Sequence, residues 1–197
     1  MKFTKLNIYL ASQSPRRREL LEQIGIQYSL LPASVNEKCL VDEVPEDYVV
    51  RVALDKAAYA ERYRISESLP ERPVLAADTC VALNGEIFGK PEDYDHASHM
   101  LSQLSDQTHE VYTALVLFWK GQSYTALNCS RVTFCSLSQV DIDSYWDSGE
   151  PQDKAGSYAI QGSAAAFITN LQGSYSGVVG LPLYELRRLF EHASLVP

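Results

Sequence analysis

Apolar and polar positions along the chain change period several times, which predicts strands and helices in alternation. Residues 8–11 form a short apolar run typical of a strand, and residues 15–24 repeat apolar positions every three or four residues, as one face of a helix does. Gly25 is suited to end this helix, and residues 26–30 alternate apolar and polar as a second strand. The first thirty residues therefore predict a strand, a helix and a strand.

The middle of the chain predicts a long helix followed by strands. Pro45 opens a stretch that runs to about Tyr63 with apolar positions at spacings of three and four, and Lys56 falls in or beside its apolar side. Residues 73–77 are apolar enough for a strand, and the strand pattern resumes at residues 80–83 after a polar pair. We expect that polar pair to lie at the carboxyl end of the first of these two strands.

The rest of the chain predicts further hairpins and helices. They are a tight turn at 84–85 leading to a strand at 86–88, a helix at 93–104, a hairpin of 111–119 with 123–137, a helix after a capping box at Ser138 and Asp141, a second hairpin of 164–169 with 174–179, and a final helix after Gly180-Leu-Pro182. Since no internal repeat or low-complexity segment interrupts them, we expect one α/β domain spanning residues 1–197.

Composition and charge narrow the range of functions. The chain has 197 residues, 46% of them hydrophobic, which suffices for one core or for a core divided into two lobes around a cleft. The net charge of −8 argues against a broad surface for nucleic acid or anionic membrane, because such surfaces need clustered lysine and arginine. No apolar run approaches the ~20 residues that span a bilayer, and the start lacks the apolar segment of a secretory signal, so we expect a cytoplasmic protein.

The cysteines and histidines carry no recognisable metal motif. No Cys-x-x-Cys pair is present, and we expect reduced, mostly buried thiols. His96 and His99 have a spacing that can bring two imidazoles together on a helix, but without a third ligand nearby we expect a surface pair. The cysteines are Cys39, Cys80, Cys129 and Cys135.

The turn between the first strand and the first helix has the layout of an anion site. Ser14 can cap the helix, and Pro15 fits its first position. The free N–H groups of this turn carry the positive end of the helix dipole, and Arg16, Arg17 and Arg18 add formal charge. A capped surface helix with solvated arginines explains the same residues, so this stretch alone leaves both interpretations open.

Two carboxylates and a lysine elsewhere favour phosphate chemistry. Asp78 interrupts an apolar run, and because a buried unpaired carboxylate is costly it requires a cation, a donor or a metal. Glu37 lies in a polar loop. Carboxylates can hold a divalent metal or take a proton from attacking water, while cations such as Lys56 hold a polyphosphate. A structural salt bridge at Asp78 and a lysine that extends to solvent remain open alternatives.

Sequence signatures of other phosphate and nucleophile chemistries are absent from the chain. It lacks the GxSxG motif of serine hydrolases, the GxxxxGK[ST] motif of P-loop proteins and the GxGxxG motif of dinucleotide folds.

Five motifs occur in the order found in Maf-like nucleotide pyrophosphatases, a family that this chain resembles over nearly its whole length. They are LASQSPRRRELL at 10–21, ADT at 77–79, GKP at 89–91, KAGSYAIQG at 154–162 and GSYSGVVGLP at 173–182. The resemblance implies a fold like that of inosine triphosphatases, with a mixed twisted sheet, flanking helices and two lobes around a central cleft. It also implies that a nucleoside triphosphate is hydrolysed to its monophosphate and pyrophosphate with a divalent cation, Mg²⁺ or Mn²⁺.

The resemblance also implies catalytic roles for four positions. Asp78 matches the family's proton acceptor, and Glu37 matches an acidic position that helps with metal or water. Glu37 and Asp78 are therefore the expected metal ligands, and the sequence leaves open which of the two carboxylates binds the metal. Lys56 and Lys90 match phosphate-side positions and are expected to stabilise charge on the transferring and leaving phosphates.

Five further positions are expected to bind the substrate. Arg16, Thr79 and Gln161 match the specificity positions of the branch that resembles dTTP/UTP pyrophosphatases, and a glutamine amide suits the N3–H and carbonyl edge of uracil or thymine. Ser12 and Arg17 match phosphate-binding positions. Arg18 has no matched role and is expected to be solvated.

Two alternatives and two departures accompany this interpretation. The same fold could serve an enzyme that prefers 7-methyl-GTP or CTP, or a non-catalytic nucleotide-binding regulator of cell division; the presence of Asp78 and both lysines favours catalysis. Asp106 stands where the family usually has glycine, and Ala159 where glycine is frequent. Twelve tyrosines leave room for a homodimer interface without indicating one.

Overall fold

A seven-stranded mixed sheet forms the centre of the protein in the computed structural model, which describes residues 6–196. Its strands are β1 (Asn7–Ala11), β2 (Gln27–Leu30), β3 (Val74–Leu83), β4 (Glu86–Phe88), β5 (Thr108–Trp119), β6 (Gln122–Phe134) and β7 (Ile168–Gln172). The order is β2-β1-β3-β5-β6-β7, and β4 pairs with the end of β3. Strand β1 is parallel to β2 and β3, whereas the other neighbours are antiparallel. The predicted mixed α/β architecture is confirmed.

Helices cover both faces of this sheet. On one face, α2 packs Val49, Ala53 and Ala57 against small and β-branched residues of β1, β3 and β5. On the other face, Leu21 and Leu101, from α1 and α3, join a larger core cluster. The helices are α1 (Pro15–Gln23), α2 (Pro45–Ser66), α3 (Tyr94–Leu104), α4 (Gln139–Asp147), α5 (Tyr175–Val179) and α6 (Leu183–His192), with short 3₁₀ turns at Glu150–Asp153, Ala155–Ser157 and Ser163–Phe167.

Strand β3 divides its side chains between these two faces. Val74, Ala76 and Cys80 belong to the α2 side, whereas Leu75 and Val81 belong to the opposite core. Because side chains alternate along a strand, Asp78 shares the face of α2 and Thr79 shares the other. The side chains of these two adjacent polar residues therefore lie on opposite faces of the sheet.

Strand β3 also differs from its predicted division. The prediction of separate strands at 73–77 and 80–83 was wrong, because β3 runs without a break through Asp78 and Thr79. Both residues keep their ladder positions opposite Ala114 and Thr113 of β5. Hydrogen-bond partners on other elements satisfy both polar side chains, so the strand does not end at them.

The predicted second hairpin is also wrong. Residues 163–167 form a 3₁₀ turn, residues 168–172 form the single strand β7, and Tyr175–Val179 is the helix α5. The side chain of Ser174 accepts a hydrogen bond from the Gly177 N–H, which starts α5 where the two valines suggested a strand.

Three smaller expectations are corrected or explained by local geometry. Ser14 flanks α1 but its side chain makes no cap; its N–H instead donates to Ser12 Oγ at 3.2 Å. Cys39 and Cys129 are exposed, so the thiols are not mostly buried, although all four are free. Asp106 has φ of 56°, a left-handed conformation that glycine adopts without strain, and this suits the glycine that the resemblance led us to expect at this position.

Two features are absent from residues 6–196, a membrane-spanning helix and a cluster of potential metal ligands. No helix in that part of the chain is long and apolar enough to cross a membrane. No group of three or more His, Cys, Asp or Glu side chains is arranged there to hold a metal ion.

Candidate active site

A cleft of about 580 Å³ opens where β1, β3 and the first turn of α1 face the loops around residues 37, 90 and 154–161. All nine residues that the sequence singled out lie along it, and Arg18 does not. The nine are Ser12, Arg16, Arg17, Glu37, Lys56, Asp78, Thr79, Lys90 and Gln161. The structure thus brings the predicted positions together; their chemical roles stay predictions.

Two carboxylates converge on one ammonium at the floor of the cleft. Lys56 Nζ lies 2.7 Å from Asp78 Oδ1 and 2.7 Å from Glu37 Oε1. Lys56 reaches this point because it lies on the face of α2 that packs on the sheet, next to the side of β3 that carries Asp78. The solvent-directed alternative for Lys56 is therefore wrong.

Burial distinguishes the two carboxylates. The Asp78 side chain is 9% exposed, whereas that of Glu37 is 47% exposed. Burial raises the pKa of Asp78, even though the charges of Lys56 and Arg17 act to lower it. Asp78 is thus a buried carboxylate that holds a proton more readily than an exposed aspartate does.

The loop that carries Glu37 is fixed to α2 by side chains that the sequence did not single out. Tyr48 Oη donates to the Glu37 carbonyl at 3.0 Å, and Arg51 Nη2 donates to the Lys38 carbonyl at 3.1 Å. Arg51 also binds both carboxylate oxygens of Glu43, and this pairing lowers the pKa of Glu43 to about 2. Tyr48 and Arg51 lie three residues apart on α2, and the acidic loop precedes this helix. Helical spacing places the two side chains on one side of α2, but no sequence signal pairs them with the loop carbonyls.

Arg17 joins three parts of the cleft wall. Its Nε donates to the Gly180 carbonyl at 2.8 Å, Nη1 to Ser12 Oγ at 3.0 Å and Nη2 to Thr79 Oγ1 at 3.1 Å. Burial lowers the pKa of this guanidinium, with Asp78 and Glu37 opposing the effect. Three of its five N–H donors are committed to the protein, so it orients Ser12 and Thr79 as well as facing the cleft.

A chain of hydroxyl groups continues from Arg17 into the sheet. Thr79 Oγ1 and Thr113 Oγ1 lie 2.9 Å apart as direct cross-strand neighbours in β3 and β5. Thr113 Oγ1 donates to the Gly177 carbonyl at 2.8 Å. Thr113 is fully buried, and the sequence gave no local signal for it because its partners lie 34 and 64 residues away.

The opposite wall is formed by the loop of residues 150–163. Glu150 accepts from Tyr145 Oη at 2.7 Å and from the Ser163 N–H at 2.9 Å, which closes the loop across the residues between them. At Gly162 an added Cβ would lie 2.2 Å from Glu150 Oε1, so glycine permits this closure. Gln161 is consequently presented at the cleft by a loop held at both ends.

Two further lysines supply charge at the mouth of the cleft. Lys90 is exposed in the segment after β4, and Lys154 lies beside Asp153, with which it forms an ion pair. Lys154 was part of a sequence motif but was not singled out as a site residue.

The carboxylate pair fits a divalent cation. Oxygen atoms of Glu37 and Asp78 already meet at a single cationic group, and carboxylate oxygens are the ligands that Mg²⁺ and Mn²⁺ prefer. Mg²⁺ in phosphate sites is commonly held by one or two carboxylates together with substrate phosphates. The two carboxylates of Glu37 and Asp78 match this mode of binding in number and in ligand type.

Comparison with known proteins gives a consistent family match. A family model described as Maf-like protein matches residues 7–193. A protein of Nitrosomonas europaea named dTTP/UTP pyrophosphatase is 50% identical over 196 residues, covering 95% of each chain. One of the same name from Methylococcus capsulatus is 49% identical, covering 99% of this chain and 95% of its own. The solved Staphylococcus aureus Ham1 protein gives a TM-score of 0.42 at 16% identity over 65% of this chain and 71% of its own, too low to carry weight.

Proposed function

Because the chain belongs to the Maf-like protein family, we propose that it hydrolyses dTTP and UTP to the corresponding monophosphate and pyrophosphate, as part of nucleotide-pool house-cleaning. Relatives that carry dTTP/UTP pyrophosphatase as their name are 50% identical over 95% and 94% of this chain. The observation in this molecule that supports the proposal is the convergence of Asp78 and Glu37 on Lys56, inside a cleft that further cationic side chains line.

Asp78 is the proposed proton acceptor. A general base works best when its pKa approaches the working pH, and burial moves the pKa of Asp78 in that direction. Lys56 holds Oδ1 by a 2.7 Å hydrogen bond and so fixes the orientation of the carboxylate toward the cleft. The attacking water gives its proton to this carboxylate as it approaches the α-phosphate.

The cations of the cleft stabilise the negative charge of the reaction. Lys56 and Lys90 are proposed to offset charge on the transferring and leaving phosphates, and Ser12 and Arg17 to hold the triphosphate. Arg17 retains two N–H groups beyond its three protein contacts, enough for one paired contact with phosphate oxygens. Hydrolysis between the α- and β-phosphates then yields pyrophosphate.

Glu37 and Asp78 are the proposed ligands of a divalent metal. A bound Mg²⁺ or Mn²⁺ supplies positive charge that offsets the charge of the phosphate oxygens. Tyr48 holds the Glu37 carbonyl and Arg51 holds the Lys38 carbonyl, so the more exposed of the two carboxylates is kept beside the buried one.

The base is proposed to lie against the loop of residues 150–163. Gln161 offers both a donor and an acceptor and so suits the edge of uracil or thymine that carries N3–H and the carbonyls. Thr79 and Arg16 line the same cleft and are the other proposed specificity residues.

One assay tests this function. The purified protein is incubated with Mg²⁺ or Mn²⁺ and, separately, with dTTP, UTP, CTP, 7-methyl-GTP and ITP, and products are identified by ion-exchange chromatography. The proposal expects monophosphate and pyrophosphate, with dTTP and UTP turned over fastest. Release of orthophosphate without pyrophosphate refutes cleavage between the α- and β-phosphates. Faster turnover of CTP or 7-methyl-GTP than of dTTP and UTP refutes the proposed substrate preference, and tight nucleotide binding without turnover indicates a nucleotide-binding regulator instead.

The cytoplasmic location, a homodimer and the absence of nucleic-acid and membrane partners stay predictions from the sequence. They do not enter the chemistry proposed for the cleft.

A further inference from the structure

The hydroxyl chain behind Arg17 has only one consistent direction of proton donation. The Gly177 carbonyl can only accept, so the single hydroxyl proton of Thr113 is committed to it. Thr113 Oγ1 must then accept from Thr79, which commits the hydroxyl proton of Thr79 as well. At the other end, a guanidinium can only donate, so Thr79 accepts from Arg17.

This direction determines what Thr79 can offer to a substrate. A threonine hydroxyl has one proton and two lone pairs. Thr113 takes the proton and Arg17 fills one lone pair, which leaves a single lone pair on Thr79 Oγ1. Thr79 lines the cleft and is partly exposed there. Toward the cleft it is therefore a hydrogen-bond acceptor and not a donor.

The acceptor that terminates the chain is held firmly in place. Gly177 lies so close to the sheet that an added Cβ would be 2.4 Å from Asn128 Oδ1. The N–H of Ser174, which caps α5, donates to Ser130 Oγ at 2.9 Å, so the helix that carries Gly177 is tied to β6. The Gly177 carbonyl cannot turn away without displacing α5.

As an acceptor, Thr79 Oγ1 cannot form a hydrogen bond with the triphosphate oxygens. Phosphate oxygens and base carbonyls only accept, whereas the donors of a nucleotide are its base N–H groups and sugar hydroxyls. Uracil and thymine share a donor at N3, and cytosine has an unprotonated N3 that would face the lone pair of Thr79 without a hydrogen bond.

We propose that Thr113 is a positioning residue that sets Thr79, in place of Gln161, as the acceptor for the N3–H of uracil or thymine, and thereby disfavours cytosine; the Gln161 amide N–H then pairs with a carbonyl of the same edge. This inference rests on the proposed function and extends it to a buried residue that does not touch the substrate. Replacing the Thr113 hydroxyl frees the proton of Thr79, which can then be donated to the N3 of cytosine.

The test is the ratio of kcat/KM for UTP to that for CTP in the wild type, in Thr113→Val and in Thr113→Ser. Valine preserves shape and removes the hydroxyl, so the ratio is expected to fall about threefold to tenfold, the value of one neutral hydrogen bond. Serine restores the hydroxyl and is expected to return the ratio to the wild-type value. Thr108→Val is the matched control, since Thr108 is on the same strand and pairs with Thr133 at 2.8 Å away from the cleft.

A double-mutant comparison shows whether Thr113 acts through Thr79. In a Thr79→Val background, Thr113→Val is expected to leave the UTP:CTP ratio unchanged. An unchanged ratio in the Thr113→Val single variant, with the wild type turning over UTP, overturns the inference alone. A shift in the ratio of UTP to 3′-deoxy-UTP instead of UTP to CTP overturns it in favour of a sugar contact. Absence of UTP and dTTP turnover in the wild type overturns the proposed function, and this inference with it.

Thr113→Val needs a check of folding before its kinetics are interpreted. Circular dichroism and thermal unfolding are compared with those of the Thr108→Val variant. If the valine variant does not fold, Thr113→Ala provides the same loss of the hydroxyl, with the same expected fall in the ratio and the same unchanged ratio as the contrary outcome.

Discussion

Replacing Lys56 by methionine removes the ammonium on which two carboxylates converge, and the structure indicates how much stability this costs. Glu37 has a side chain that is 47% exposed and can be hydrated after the change, whereas Asp78, at 9%, cannot. The cost is therefore that of leaving one buried carboxylate without its direct partner. Breaking a buried ion pair from one side typically costs about 3–5 kcal/mol, and the remaining charge of Arg17 places our expectation near the lower value, about 3 kcal/mol.

Urea unfolding at pH 7 in the presence of EDTA measures this cost without contribution from a bound metal. The Lys56→Met/Asp78→Asn double variant is expected to regain most of the loss and to fall within about 1 kcal/mol of the wild type, because no unpaired charge remains buried. Lys38→Met, which removes an exposed lysine, is the control. A loss below about 0.5 kcal/mol in Lys56→Met, or a double variant no more stable than the single one, refutes the reasoning.

Three further predictions concern residues outside the cluster of Lys56, Asp78 and Glu37. Arg51→Met removes the contacts of Arg51 with Lys38 and Glu43. We expect faster amide hydrogen exchange in residues 37–43 and a higher Mg²⁺ concentration for half-maximal activity, and unchanged exchange contradicts a role of Arg51 in holding this loop. His109 is fully buried, and burial lowers its pKa from 6.5 to about 4. Between pH 6.5 and 4 the unfolded chain therefore binds more protons than the folded one, and the free energy of unfolding should fall by up to about 3 kcal/mol as the pH is lowered through this range. His109→Gln should reduce this dependence on pH, and an equal dependence in the variant and the wild type argues against the role of His109. Gly156→Ala puts a Cβ 2.9 Å from Val81 at φ of 65° and should lower the thermal midpoint more than Gly25→Ala, which has φ of 77° but open space; equal effects exclude the steric cause.

Local pattern predicted most elements because their periodicity and end signals agree with the tertiary structure. The long helix carries Lys56 on its buried side as its spacing indicated, and Ser138 with Asp141 forms the predicted capping box. The region of residues 164–179 failed because its apolar and β-branched residues suit a strand, whereas Ser174 caps a helix. Asp78 and Thr79 resembled a break in β3 because their partners, which lie on other elements, cannot be seen in a local window.

The candidate site was predictable to the extent that its residues lie in family motifs. Seven of the nine positions that line the cleft lie in those motifs. Glu37 and Lys56 lie outside them: Lys56 stood out by its place beside the apolar side of the predicted helix, and both were matched to family positions. The residues that hold them were missed, because Tyr48 and Arg51 act on loop carbonyls and Thr113 acts through a cross-strand neighbour. Contacts of this kind depend on sheet register and loop course, which single-sequence patterns do not specify.

Turnover of dTTP by the wild type and by Asp78→Asn, both shown to be folded, tests the central claim most directly. With Mg²⁺ present, the wild type should release dTMP and pyrophosphate in equal amounts, and loss of the proposed base should lower kcat by at least about 100-fold. An Asp78→Asn protein that keeps full turnover, or a wild type that releases orthophosphate in place of pyrophosphate, would contradict the assignment of this cleft as a nucleoside triphosphate pyrophosphatase site with Asp78 as its base.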